Sequence, residues 1–246
     1  MKKNRFVWIA FLLCIGLALP VAAQTLDKGY YDYQGMINHQ LKIRMSLYLT
    51  GQEITGSYFY EKHRKEIKLK GTLVANKVVL QEYDKNGRKT GIFEGYLQSI
   101  DSIDGYWSTP GGGRNYPFHL GLISSAIGAA YEKRYQDAGA ENDAVVETFA
   151  ANLQCYLANN QKQKIAALLH YPTEVKVNGK PITLKTPEQF LAHYHEVFYP
   201  EFKTALVNAF TKYLFSNYQG IMFGGDTKNI WIGCSPEGCF ILKINN

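Results

Sequence analysis

Between Tyr30 and Leu122 apolar and polar residues alternate with a period of two. That spacing sends successive side chains to opposite faces of a β-strand, and it restricts the first half of the chain to sheet structure. Ile43, Met45, Leu47 and Leu49 alternate with Lys42, Arg44, Ser46 and Tyr48, so one face is expected to be core and the other solvent or cavity. The alternation returns at Tyr58 and Tyr60, Ile67 and Leu69, Phe93, Ile103, and Tyr106 with Trp107. Turn clusters separate the runs, among them Asp84-Lys85-Asn86-Gly87 and Pro110-Gly111-Gly112-Gly113. Seven or eight short strands in succession, with no helical segment between them, predict an antiparallel meander.

A loose repeat runs through these strands: Gly56-Ser57-Tyr58, Gly71-Thr72-Leu73, Gly95-Tyr96-Leu97 and Gly105-Tyr106-Trp107. Glycines inside strands mark bulges or bends where a sheet curls, which favours a curled sheet or small barrel. These G-x-Y and G-x-W strands resemble domains of bacterial envelope proteins and, more loosely, the lipocalin-like barrels. The run Gly111 to Gly113 lacks the Gly-Lys-Ser/Thr ending of a phosphate loop and no helical pattern follows it, so it reads as a hairpin loop. Lys62-His63-Arg64-Lys65, with Lys68 and Lys70, offers positive charge to an acidic partner or anionic envelope polymer. Lys68 and Lys70 alternate with Ile67 and Leu69, however, as the wet face of a strand does.

From Ser124 to Ala144 the sequence is rich in Ala, Gly and charge without a sustained apolar period, and reads as a connection. From Asp143 apolar residues fall three and four apart: Val146, Phe149, Ala150, Leu153 and Leu157, then Ile165, Leu168 and Leu169 after Asn159-Asn160. Two helices are expected. Asn178-Gly179 between alternating runs predicts a hairpin. Thr186-Pro187-Glu188-Gln189 supplies a helix start, with Thr at the cap and Pro at the first helical position. Phe190, Leu191, Tyr194, Val197 and Phe198 would form that helix's buried stripe, and Leu206, Phe210 and Leu214 suggest another helix. Strand-like runs at 219–223, 229–234 and 239–244 close the chain. This order, with Tyr171-Pro172, Phe190 and Tyr194, Asn217 with Gln219 to Met222, and Ile230 to Gly233 followed by Ile241 to Asn245, resembles exported bacterial domains of the nuclear-transport-factor-2-like (NTF2-like) superfamily. The resemblance implies a cone of helices on a curved antiparallel sheet, a fold that hosts both enzymes and binding modules.

The chain opens with Lys2, Lys3 and Arg5, an apolar run from Phe6 to Leu19, and Val21-Ala22-Ala23-Gln24, the order of a cleavable secretory signal. Its apolar run is shorter than the roughly 17 residues needed to span a bilayer, and no second apolar stretch approaches that length, so no membrane span is expected after cleavage. Loss of those three basic residues lowers the formal charge from +6 to +3, too weak a bias to imply nucleic acid. Export makes a bridge between Cys234 and Cys239, which enclose a four-residue turn, chemically favourable. Cys155 reads as a small buried hydrophobe on the first helix. The expected organisation is α+β: a signal peptide at 1–23, an antiparallel β meander or small barrel at 24–123, a connection at 124–142, and an NTF2-like cone at 143–246.

Catalytic chemistry in an NTF2-like cone would use an acid and an oxyanion-binding tyrosine, as in ketosteroid isomerases. The candidates are Tyr171, Tyr194, His170, His193, His195 and Asp226, and none forms a convincing set. His193 and His195 are two apart on the expected helix and point in different directions. No Gly-x-Ser-x-Gly elbow is present, and no catalytic residue, metal or cofactor is assigned. The expected function is a non-catalytic periplasmic or envelope binding protein, an inhibitor or immunity-type protein acting on an envelope protein. Two alternatives are a carrier or sensor of a small apolar molecule and an isomerase-like or hydrolytic enzyme in the cone. The ligand-pocket candidates are Tyr171, Tyr194, Phe198 and Trp231. An open apolar pocket at Tyr194 or Tyr171 would favour a ligand, whereas plugging by Phe198, Phe210 and Trp231 would remove it.

Overall fold

The structure is a computed structural model that describes residues 26–246. The expected signal peptide lies outside the described residues. Eight strands follow one another: β1 (Gly29–Ile37), β2 (Leu41–Thr50), β3 (Glu53–Tyr60), β4 (Ile67–Val74), β5 (Lys77–Tyr83), β6 (Lys89–Ser99), β7 (Ser102–Ser108) and β8 (Asn115–Ile127). Each pairs antiparallel with the next, and β8 returns to β1 to close a barrel. Closure removes the open edges that a meander would leave free to aggregate.

Eight strands enclose a space just wide enough for side chains, and here large ones occupy it. Tyr31, Tyr33, Met45, Tyr58 and Phe93 point inward and are fully buried. The glycine repeat makes room for them. Gly95 and Gly105 face each other across β6 and β7. A Cβ on Gly95 would lie 2.9 Å from Phe118 Cζ, and one on Gly105 would lie 2.5 Å from Gly95 Cα. The lumen also holds one carboxylate, Glu82, which accepts from Tyr58 Oη (2.7 Å), Trp107 Nε1 (3.0 Å) and Thr90 Oγ1 (2.6 Å). Three donors offset the cost of burying that charge. Burial, followed by the charge of Glu82, pushes the Tyr58 hydroxyl far above the usual phenol range.

After β8 a short 3₁₀ turn (Gln136–Ala138) leads to α1 (Asp143–Ala158) and α2 (Lys162–Leu168). Asn142 caps α1 by accepting from the Val145 N–H at 3.1 Å. The hairpin β9 (Thr173–Val177) and β10 (Lys180–Leu184) turns at Asn178-Gly179, both with positive φ. Thr186 caps α3 (Pro187–Ala192) through the Gln189 N–H. Next come α4 (Tyr194–Val197), α5 (Pro200–Val207) and a four-stranded antiparallel sheet of β11 (Phe215–Asn217), β12 (Gly220–Gly224), β13 (Asn229–Ser235) and β14 (Gly238–Asn245). Ile221, Phe223, Ile230, Ile232 and Ile241 face the helices in one core with Val146, Leu153, Phe190 and Phe202. Cys234 and Cys239 form the expected disulfide, opposite each other across β13 and β14 with Cα atoms 4.0 Å apart.

Three local expectations are corrected. The helix carrying Phe190 and Tyr194 breaks at His193 into α3 and α4. Phe210 and Leu214 lie beyond α5, and Phe210 packs on Phe59 of the barrel at 5.3 Å. Cys155 is exposed, because the buried stripe of α1 is Val146, Ala150, Leu153 and Leu157, and a residue two positions from Leu153 turns to the other side.

The outer faces of β1–β3 are not wet: Tyr30, Asp32, Ser46, Tyr48, Ser57 and Phe59 are all buried under the C-terminal half. Arg134, with a side chain only 4% exposed, sits at the centre of this seam. Its Nη1 donates to both Asp32 oxygens (3.0 and 2.8 Å), its Nη2 donates to Ser46 Oγ, and its guanidinium carbon lies 4.3 Å from the Tyr30 ring centroid. Its backbone N–H donates to Asp143 Oδ1 at 2.7 Å, which ties the start of α1 to the same point. Burial alone would lower the Arg134 pKa, but Asp32, Tyr135 and Asp143 together outweigh it and the net shift is upward.

Removing one member of a buried ion pair leaves the other charge uncompensated. Arg134→Met is therefore expected to lower the urea-unfolding free energy by about 3–5 kcal/mol. Adding Asp32→Leu to that variant should recover most of the loss. A double variant no more stable than the single one would show that the pair is not the anchor of the seam.

Candidate functional site

The seam does not close completely. Beside Arg134 it opens into a cleft of about 770 Å³ between the barrel and the start of α1, larger than the depressions over α4 and α5 (about 600 Å³) and on the outer face of β6–β8 (about 580 Å³). Strand geometry sets the barrel side. Thr55 and Ser57 of β3 pair with Lys70 and Lys68 of β4, so four outward side chains form a two-by-two polar patch. Helix geometry sets the other side: Asp143 and Glu147, four residues apart, project from the same face of α1. Tyr131 and Glu132 line the cleft from the segment before α1, and Tyr30, Arg134 and Tyr213 line it from the seam. Ser57 Oγ and Tyr213 Oη share a hydrogen bond of 2.6 Å.

Lys212 spans the two halves, pairing with Glu66 and, at 3.4 Å, with Glu147. Burial would raise the Glu66 pKa, but the Lys212 ammonium, with Ser57 and Lys68, outweighs it and holds the carboxyl below its ordinary value. Burial would lower the Lys212 pKa, but Glu66 and Glu147 turn the net shift upward. Glu147 is less exposed than Glu66, at 18% against 38%, and farther from the ammonium. Burial therefore prevails and its pKa is raised. Asp143 is raised for the same reason, with Arg134 opposing. Lys68, Lys70 and Glu132 make no ion pair among the described residues. The result is a cleft of mixed charge: on the barrel side Lys68 and Lys70 are unpaired beside Glu66, and on the helix side the under-solvated Asp143 and Glu147 stand beside Arg134 and Lys212. Such a site binds by charge and hydrogen bonding.

The pocket candidates lie elsewhere: Tyr194 and Phe198 both line the depression over α4 and α5, whereas Tyr171 and Trp231 lie outside it. Tyr194 and Phe198 are buried against each other in the C-terminal core, ring centroids 5.4 Å apart, with Phe198 stacked on Phe202. The Tyr194 hydroxyl is buried without a hydrogen bond, although the Lys162 ammonium lies 5.1 Å from its ring centroid. Tyr171 is half-buried and donates to the Ala166 carbonyl (3.1 Å); burial first, then Glu188, pushes its hydroxyl up to about 12. Trp231 alternates with the buried Ile230 and Ile232, and so turns out of the core to meet Phe215 edge-on. Arg64 of the basic stretch leaves the patch altogether and donates to the carbonyls of Asn208 (2.7 Å) and Ala209 (3.1 Å) just past α5, where a cation is favoured.

Lys68 and Lys70 are visible in the sequence as strand lysines, whereas Arg134, Asp143 and Glu147 carry no spacing that marks a site. The available signal was the row Tyr30, Tyr48 and Phe59, large aromatics at positions the alternation assigns to solvent. The chain matches no family model, and it shows no match to a curated protein or a solved structure. Function is therefore read from the cleft.

A carboxyl whose folded pKa lies above its unfolded value supports the fold fully below the unfolded value and loses that support as pH rises through the folded one. Glu147→Gln, which imitates the protonated form, is expected to raise the urea midpoint at pH 7 and to leave it unchanged near pH 4. A lower midpoint at pH 7 would show that the pairing with Lys212 outweighs burial.

Proposed function

We propose that the protein is a non-catalytic binding protein of the periplasm or secreted space, an inhibitor or immunity-type protein whose macromolecular partner docks over the cleft between barrel and C-terminal half. The observation that carries this reading is the contrast between the filled lumen and the charged cleft. A carrier of apolar molecules needs an apolar cavity, and the barrel interior is occupied by Tyr31, Tyr33, Tyr58 and Phe93. The cleft offers Lys68, Lys70, Glu132 and Glu147 on a support made rigid by Arg134 and Lys212. Complementary charge of this kind steers association and sets specificity.

The signal-like N-terminus and the Cys234–Cys239 bridge support an exported setting. No helix among the described residues is long and apolar enough to cross a membrane. The NTF2-like character of the C-terminal half belongs to the same reading, supported by helices packed on one face of the sheet of β11–β14. The barrel half is consistent with a lipocalin-like meander in its strand order.

The test compares capture from an envelope extract by the mature wild type and by Lys68→Glu/Lys70→Glu. Both lysines are exposed, so the variant should keep the wild-type melting temperature. The expected result is a partner retained by the wild type and lost by the variant, and confirmed with purified components. The same proteins on both baits would overturn the proposal.

A further inference from the structure

Charges of both signs line the cleft, and Lys68 and Lys70 on the barrel side and Glu132 on the other make no ion pair among the described residues, which narrows what the cleft can hold. A polyanion would meet Glu132, Asp143 and Glu147, and a polycation would meet Lys68 and Lys70, so a ligand of either sign leaves one side facing like charge. A dipolar ligand satisfies both. We propose, on the reading of the cleft as a binding site, that it takes a short peptide with free ends, its ammonium against Glu132, Asp143 and Glu147 and its carboxylate against Lys68 and Lys70.

The remaining lining suits such a ligand. The Thr55 hydroxyl beside Lys70 and the Asn142 side-chain amide N–H, whose oxygen caps α1, offer partners to peptide C=O and N–H groups. Tyr131, half exposed, presents an aromatic face beside the carboxylates, and ammonium groups are attracted to such faces. Asp143 and Glu147, their side chains each 18% exposed, are already largely removed from water, and beside Arg134 and Lys212 each carboxylate keeps lone pairs for an incoming ammonium. A volume of about 770 Å³ lies within the roughly 300–1,000 Å³ of small-ligand sites. Among the described residues no cluster of metal-ligating side chains competes for the carboxylates.

The experiment is isothermal titration of the full mature protein with trialanine, N-acetyl-trialanine and trialanine amide. Trialanine is expected to bind, and blocking either end should weaken binding about tenfold, the equivalent of about 1.4 kcal/mol. Lys68→Ala/Lys70→Ala should abolish the difference between trialanine and its amide, and Glu132→Gln/Glu147→Gln the difference between trialanine and its acetylated form. Charge-matched losses of this kind would not follow from misfolding, which would weaken all three peptides alike. Equal binding of blocked and free peptides, or no binding of any of them at millimolar concentration, overturns the proposal. If the peptides fail while partner capture still depends on Lys68 and Lys70, the binding-module reading survives and only the ligand class falls. If capture is also indifferent to those lysines, both fall.

Discussion

A guanidinium removed from water on the outer wall of a barrel survives only if a carboxylate and hydrogen-bond acceptors meet it there. Arg134 finds Asp32 and Ser46 on adjacent strands and the ring of Tyr30 beneath it. Its own backbone fixes Asp143 at the start of α1. One residue thus binds the first two strands, the linking segment and the first helix to a common point. The contacts around it depend on that registration: Tyr48 Oη donates to the Ala129 carbonyl, the Glu132 N–H to Tyr30 Oη, and the Leu214 N–H to Tyr135 Oη. Buried ion pairs contribute little net stability over apolar packing but penalise every arrangement in which they are broken. Here that penalty fixes how the two halves sit.

The cleft follows from this arrangement. Because Arg134 holds Asp143 against the barrel, Glu147 one turn later faces Lys68 and Lys70 across a gap that neither half could form alone. Lys212 pairs with Glu66 of the barrel and with Glu147 of α1, so carboxylates from both halves are held in one frame. Pre-set charges of this kind lose little conformational freedom when a partner arrives, which is how a rigid site gains affinity without large area.

The barrel was legible because period-two alternation survives in each of its strands, and the glycine repeat foretold the curl. The second buried face was not. Tyr30-Tyr31-Asp32-Tyr33 reads as aromatic on both sides, yet Asp32 looks like a solvent residue until its partner 102 positions later is known. In the C-terminal half the caps at Asn142 and Thr186, the turn at Asn178-Gly179 and the cysteine bridge were local and therefore readable. The break at His193 was hidden, since the apolar spacing of Phe190, Tyr194 and Val197 runs across it unchanged. Phe210 misled for a different reason: its spacing matched a helix, but its burial comes from Phe59, Arg44 and Arg64 in the other half. The site was the least legible part, because most of its members come from four stretches far apart in the chain, around 55–57, 66–70, 131–147 and 212–213.

The central claim is that function resides where the two halves meet. Hydrogen–deuterium exchange of the protein, alone and with its captured partner, tests it most directly. Slower exchange confined to residues 53–74 and 128–147 is the result this account predicts. Protection centred instead on the outer face of β6 and β7, around the exposed Tyr96 and Tyr106, would contradict it.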